Sequence, residues 1–184
     1  DSAVLLGGYL NGGSETRDWE CNKTILCGDI DRNGILDGGN SLRVVITDHV
    51  SDQTIIDGFC ITGGYADGAS PVNSGAGWYN DGKNGTSSPM IRNCTIKNNT
   101  ADFEGGGMYN NGQQGEASPT YLNCRFLSNS SLNGRGGAIF NDGYQGVSSS
   151  TFTNCIISGN SAGSAGGGIY NSGTEGNSSP VLTN

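Results

Sequence analysis

The chain contains one histidine, His49, among 184 residues. That scarcity excludes a histidine-based metal centre and most catalytic triads, which need an imidazole base. His49 lies in Thr47-Asp-His-Val50 and reads as a turn residue. Charge is sparse too: Asp, Glu, Lys and Arg make up 14 % of the chain, and hydrophobic residues 33 %. These values exclude a coiled coil, a helical bundle and a charged disordered tail. No run approaches the roughly 20 apolar residues of a membrane-spanning helix. Positive charge is the scarcer sign, with 9 Lys and Arg against 17 Asp and Glu, a formal net charge of −8. That balance argues against nucleic acid, anionic membrane surfaces and polyanionic sugar substrates as partners.

What the chain has instead is 33 Gly, 21 Asn and 21 Ser, together 75 of 184 residues. All three disfavour helix interiors. The glycines follow no G-X-Y period, so a collagen triple helix fails. A disordered low-complexity segment and an all-β solenoid full of tight turns both fit this composition. Phase separates them.

Cys60, Cys94, Cys124 and Cys155 recur at spacings of 34, 30 and 31. Tyr79, Tyr109, Phe140 and Tyr170 recur at 30, 31 and 30, and each is followed by Asn. Gly follows two residues later, at Gly82, Gly112, Gly143 and Gly173, and again at Gly85, Gly115, Gly146 and Gly176. Units close on Ser88-Pro89, Ser118-Pro119 and Ser179-Pro180, with Ser150 in place of the Pro in the third copy. Disorder needs no phase, so a repeat this regular excludes it.

Within one unit, Cys124 and Phe126 share parity and face one side of a strand. A second apolar column, Ile91, Tyr121, Phe152 and Leu182, lies three residues before the Cys position and breaks strict alternation. A bend at Asn93, Asn123, Asn154 and Asn184 accounts for the break, because Asn tolerates a left-handed backbone. Asn99, Asn129 and Asn160 close the second strand. Gly105-Gly-Gly-Met-Tyr-Asn110 and its equivalents at 136–141 and 166–171 make a third. Strands this short cannot bury a face alone, whereas stacked units pair every backbone group and bury a continuous core. The predicted fold is an all-β, right-handed, single-stranded parallel β-helix. Each coil takes about 30 residues and carries three short strands.

The predicted organisation is irregular coils over 1–57 and regular coils over 58–184. The regular units run approximately 58–88, 89–118, 119–149 and 150–179, with a partial unit at 180–184. In the first region Asp29, Asp31, Asn33, Ile35, Asp37 and Asn40 have the spacing of a calcium loop, with Ile35 giving its carbonyl and Gly34 the turn. A structural Ca²⁺ clip is one reading. The other is an acidic Asn-Gly turn that needs no metal.

Cys21 and Cys27, six residues apart, are candidates for a local disulfide in an oxidising compartment. The four later cysteines read as one inward stack of thiols, with side-chain vectors too parallel to suit bridging. Zinc lacks the C-x₂₋₄-C pairs or His clusters it needs. Tyr79, Tyr109, Phe140 and Tyr170 adjoin Trp78, Met108, Ile139 and Ile169, so one column faces in and the other out. The aliphatic column suits the core. The aromatic one then forms an outer stripe able to stack on sugars or protein, or packs beneath a glycine-rich loop.

Phe126-Leu-Ser-Asn129 followed by Gly136-Gly-Ala-Ile139 resembles the F-x-x-N and G-G-A-[ILV] motifs of polymorphic outer-membrane protein repeats. Ile96-Lys-Asn-Asn99 and Ile157-Ser-Gly-Asn160 are looser versions. The Ser-Pro-x-x-x-Asn-Cys-x-[Ile/Phe] unit is similar to repeats of large secreted bacterial proteins of the pectate-lyase-like β-helix superfamily. The resemblance implies export, surface display and adhesion or matrix roles. Six N-x-S/T triplets and six Cys fit an exported chain. Asp1 at the start fits a processed or trimmed one.

The expected function is therefore non-catalytic: an extracellular or cell-surface β-helix for adhesion, or for assembly into a layer, stalk or filament. Partners would be other copies or further β-helix domains end to end, since Asn184 falls inside an unfinished unit, or glycans and cell-surface proteins. Nucleic acid and membrane insertion are not expected. A carbohydrate-binding module or a fragment of a polysaccharide lyase or hydrolase is the alternative. It is disfavoured because the repeat columns carry few acids and no acidic pair recurs on a strand.

Overall fold

The computed structural model describes residues 2–11 and 15–184. It is a parallel β-solenoid of about five turns, and among the described residues it has no helix. Each regular coil turns through four strands, so four parallel sheets run along the axis. The first sheet stacks Val4–Leu6, Ile55–Asp57, Met90–Arg92, Thr120–Leu122, Thr151–Thr153 and Val181–Thr183. The second stacks Thr24–Cys27, Phe59–Thr62, Thr95–Lys97, Arg125–Leu127 and Ile156–Ser158. The third is made of two-residue strands, Tyr65–Ala66, Thr100–Ala101, Ser130–Ser131 and Ser161–Ala162. The fourth stacks Val45–Asp48, Trp78–Asp81, Met108–Asn111, Ile139–Asp142 and Ile169–Ser172.

Four strands per coil correct the expected three. The third sheet is silent in the sequence because Thr100-Ala101, Ser130-Ser131 and Ser161-Ala162 carry no apolar signal, and two residues are too few for a period. The N-terminal strands join the same sheets. Val4–Leu6 pairs with Ile55–Asp57, Thr24–Cys27 with Phe59–Thr62, and Val45–Asp48 with Trp78–Asp81.

The bends fall where expected. Asn93, Asn123 and Asn154 have φ of 53°, 53° and 51°. The turn after the second sheet uses the residue before the Asn99 column, with Asn98, Ser128 and Gly159 at φ of 51°, 53° and 66°. Both turns aim their strands so that one inward column per sheet meets at the axis. Ile91 and Tyr121 from the first sheet, Ile96 and Phe126 from the second, and Met108 and Ile139 from the fourth are fully buried there. Cys94 and Cys124 fill the bend between the first two sheets.

Cys60 does not belong to that stack. It pairs with Thr95, while Ile61 pairs with Ile96, which puts Cys60 on the outer side of the second sheet. Phe59 takes the inward position before Ile61 and packs on the core. The departure of the first Cys spacing from the later ones is the sign of this slip.

Phe126 is fully buried and packs edge-on to Tyr121 and Phe152, with ring centroids 5.4 and 6.4 Å away. Phe126→Ala is expected to cost about 3–5 kcal/mol, read as a lowered urea midpoint. Ile156→Ala, one strand on but 51 % exposed, is expected to stay within about 0.5 kcal/mol of the parent.

Candidate functional site

The outward side chains are the ones free to meet a partner, so each predicted site is placed by which side of its sheet it occupies. Tyr79, Tyr109, Phe140 and Tyr170 alternate with the core column and lie on the outer side of the fourth sheet. They stack as one ladder, with centroids 5.2, 5.2 and 5.4 Å apart and planes within 6°, 14° and 11°. The ladder is nonetheless closed over, and Tyr79, Tyr109 and Phe140 are only 7, 7 and 2 % exposed. Gly75, at φ 70°, lies so close that a Cβ there would sit 3.0 Å from the Tyr79 ring. Arg43 covers one end of the stack, 3.6 Å from the Tyr79 centroid, and Arg135 lies beside the last two rings, 5.4 and 4.7 Å from the Phe140 and Tyr170 centroids. The Tyr109 hydroxyl donates to Asp142 Oδ2 at 2.6 Å. Burial, reinforced by that neighbouring carboxylate, pushes the Tyr109 hydroxyl far above its usual range. The aromatic column is a second, lateral core, and its Tyr79, Tyr109 and Phe140 rings are closed to a sugar.

All six residues of the predicted calcium loop come together in one turn. The Asp29 carboxylate accepts the Asn33 and Gly34 amide N–H groups at 3.2 and 3.0 Å. Asn33 Nδ2 donates to Asp31 at 2.9 Å and to Asp37 at 3.4 Å, while its Oδ1 accepts the Ile35 N–H at 2.7 Å. Asn40 Oδ1 accepts the Asp37 N–H at 3.4 Å, and its amide donates to the Gly63 carbonyl at 2.8 Å. That last bond ties the turn to the solenoid. Among the described residues no three His, Cys, Asp or Glu side chains are gathered to hold a metal by themselves. An ion here would therefore also need Asn33 and the Ile35 carbonyl.

The Cys21–Cys27 bridge is absent, because all six cysteines are unpaired. Cys21 is fixed in a turn by its N–H bond to Asp18 Oδ1 at 2.9 Å, whereas Cys27 ends a strand with its sulfur beside Gly63. Cys94 is an inert core thiol, pushed up to about 11 by burial. His49 sits in a left-handed turn at φ 50°, its ring bonded to Asp48 and to the Lys83 carbonyl.

One polar cluster has no sequence signal. Asp57 is 1 % exposed and accepts bonds from Arg17 at 2.5 and 2.9 Å, Arg92 at 2.6 Å and Asn93 at 2.9 Å. Burial alone would raise its carboxyl, but these donors outweigh it and hold the group below the usual range. The cluster pins the segment around Arg17 and Trp19 against the first two sheets. Asp57 and Arg92 are register partners in the first sheet, but Leu122 and Thr153 continue their column and Arg17 comes from before the regular coils, so no repeated charge reveals the cluster.

Residues 154–172 match the Chlamydia polymorphic membrane protein repeat. The match covers 19 of the 184 residues, and together with the parallel solenoid it fits a polymorphic-membrane-protein-like repeat protein. Comparison with curated proteins and with solved structures returned no match. The polymorphic-membrane-protein repeat falls on the looser Ile157 copy rather than on Phe126–Ile139. Four residues of the matched span have structural tasks here: Asn154 makes the bend, Asn160 continues a buried amide ladder, Gly166 turns at φ 65°, and Tyr170 extends the aromatic stack. The polymorphic-membrane-protein motif thus encodes the coil and leaves the outer columns free to vary.

Denatured, unreduced protein is expected to show six reactive thiols. A count of four would restore the Cys21–Cys27 bridge.

Proposed function

We propose that the protein is a non-catalytic component of a bacterial outer surface whose β-helix is a rigid scaffold for adhesion. The observation that carries this reading is the polymorphic-membrane-protein repeat on an in-register solenoid in which, among the described residues, every buried side-chain polar atom is hydrogen-bonded. Such a rod holds its outer columns in fixed geometry, which suits presentation to glycans or to a surface protein. A lyase or hydrolase would need carboxylates free to act, and Glu104, an acid of the variable loop, is instead ion-paired to Arg135 at 2.5 Å. Surface-applied protease or antibody should reach the protein on intact cells, and coated beads should bind target cells saturably. Neither access nor binding would overturn the proposal.

Assembly is the second reading. Leu5 in the first coil and Leu182 in the last continue the inward columns of Ile56 and Phe152, yet they are 48 and 61 % exposed. Another coil stacked on either side, from the same polypeptide or a second copy, would bury them.

The acidic turn enters the proposal as a structural calcium clip, supported by its spacing and by the gathering of Asp31 and Asp37 around Asn33. Calorimetric titration of Ca²⁺ into chelator-treated protein is expected to give saturable binding, with a higher melting temperature. No heat up to about millimolar calcium, the weak end for such loops, would leave only a hydrogen-bonded turn.

A further inference from the structure

A groove of about 610 Å³ runs along the outer side of the second sheet. Trp19 and Lys23 line its start, Lys97 and Arg125 its middle, and Ile156 its far part. That order follows the register of the coils. Asn93, Asn123 and Asn154 form one wall, and the Asn123 amide donates to Asn93 Oδ1 at 3.2 Å.

Charge marks this groove out. Of the 9 Lys and Arg in the chain, Arg17 and Arg92 are spent on Asp57 and Arg135 on Glu104. Arg43 stacks on Tyr79, and Arg32 and Lys83 lie outside the groove. Lys23, Lys97 and Arg125 have no carboxylate partner among the described residues, and all three line the groove with a single acid, Glu20. The groove is locally cationic on a chain of net charge −8. Charges more than about 8 Å away are largely screened at physiological ionic strength, so the local balance governs what docks.

We propose that this groove binds an anionic polysaccharide strand, with its carboxylate or sulfate groups on Lys23, Lys97 and Arg125. The proposal rests on the surface-adhesion reading for its setting, and it names the ligand class. The backbone of the groove floor is already paired within the parallel sheet, so an extended peptide has no edge to join. Recognition must come from side chains: cations for the acidic groups, Arg125 in bidentate fashion, the Asn wall for hydroxyls, and the Trp19 ring for a sugar face. The net charge alone argues against polyanions; the placement of the unpaired cations reverses that for this one face.

Labelled heparin, hyaluronate oligosaccharides, neutral dextran and poly-glutamate are titrated into the full chain at low and physiological salt. Heparin, hyaluronate or both should bind, more weakly as salt rises, with dextran silent and poly-glutamate about tenfold weaker or worse. Lys97→Glu with Arg125→Glu should cost about tenfold or more, the paired Gln variants less, and Lys83→Glu, outside the groove, under about twofold. Circular dichroism and melting check that these outward changes leave the fold intact. The proposal is overturned if neither anionic glycan binds, if dextran or poly-glutamate binds equally well, or if Lys83→Glu costs as much. Should neither anionic glycan bind while the protein still adheres to cells, the groove fails and the adhesion reading stands. Glycan binding through these residues, on a protein that protease and antibody never reach on intact cells, would uphold the groove and sink the adhesion reading.

Discussion

The constraint on which the rest of this structure depends is parallel, in-register stacking of coils about 4.8 Å apart. Every side chain in a column sits on its own equivalent in the coils on either side. A buried column therefore tolerates only residues that can stack on themselves. Asn does so because its amide donates in one direction and accepts in the other. Asn80, Asn110, Asn141 and Asn171 are linked this way at 3.3, 2.8 and 2.8 Å, and Asn99, Asn129 and Asn160 at 3.0 and 3.1 Å. An apolar replacement in mid-ladder would leave a donor on one side and an acceptor on the other unpaired, at about 1–3 kcal/mol for each buried group. An Asp would put an acceptor against an acceptor.

The same spacing explains much of the glycine. At Gly82, Gly112 and Gly143 a Cβ would sit 1.9, 2.0 and 2.1 Å from a carbonyl oxygen of the next coil. None of the three has a positive φ. They are needed for close approach between coils rather than for a left-handed turn. Among the described residues the left-handed positions are shared between nine glycines and eleven other residues, eight of them Asn, Gln or Ser, whose polar side chains stay useful in the stack.

How much is legible in the sequence follows from this. Columns that repeat with an apolar or amide signature can be read: the Ile91–Phe152 column, the Asn bends, and the Trp78–Ile169 core strand all stand where the periodicity puts them. What fails to show is of two kinds. Ser, Thr and Ala strands of two residues have no hydrophobic contrast, so a whole sheet gives no signal. Residues outside the phase are misplaced or unseen. Cys60 reads as inward by type although its spacing puts it one position off, and the Asp57 cluster joins Arg17, from outside the columns, to a column whose residue types change at every coil. The groove belongs to the second kind: Thr95, Arg125 and Ile156 share a position and nothing else, and Lys23 comes from before the regular units.

That irregularity has a physical cause. Two like charges stacked at 4.8 Å repel by about 0.9 kcal/mol even in bulk water, and a cationic column running through five coils would sum that cost at every step. Here Arg125 has Thr95 and Ile156 as its neighbours, and Lys97 has Thr62 and Leu127. Each cation is thus flanked along the axis by neutral side chains, and the next positive charge is set off diagonally. Stacking disfavours a long column of like charges, although Asp48 and Asp81 make one such step, and it permits a staggered array. A staggered array of cations on a solenoid is invisible to any search for repeats, because a repeated charge is what the stack selects against. In a fold of this kind the repeating columns describe the scaffold, and recognition has to be sought where the repeat breaks on the outer face.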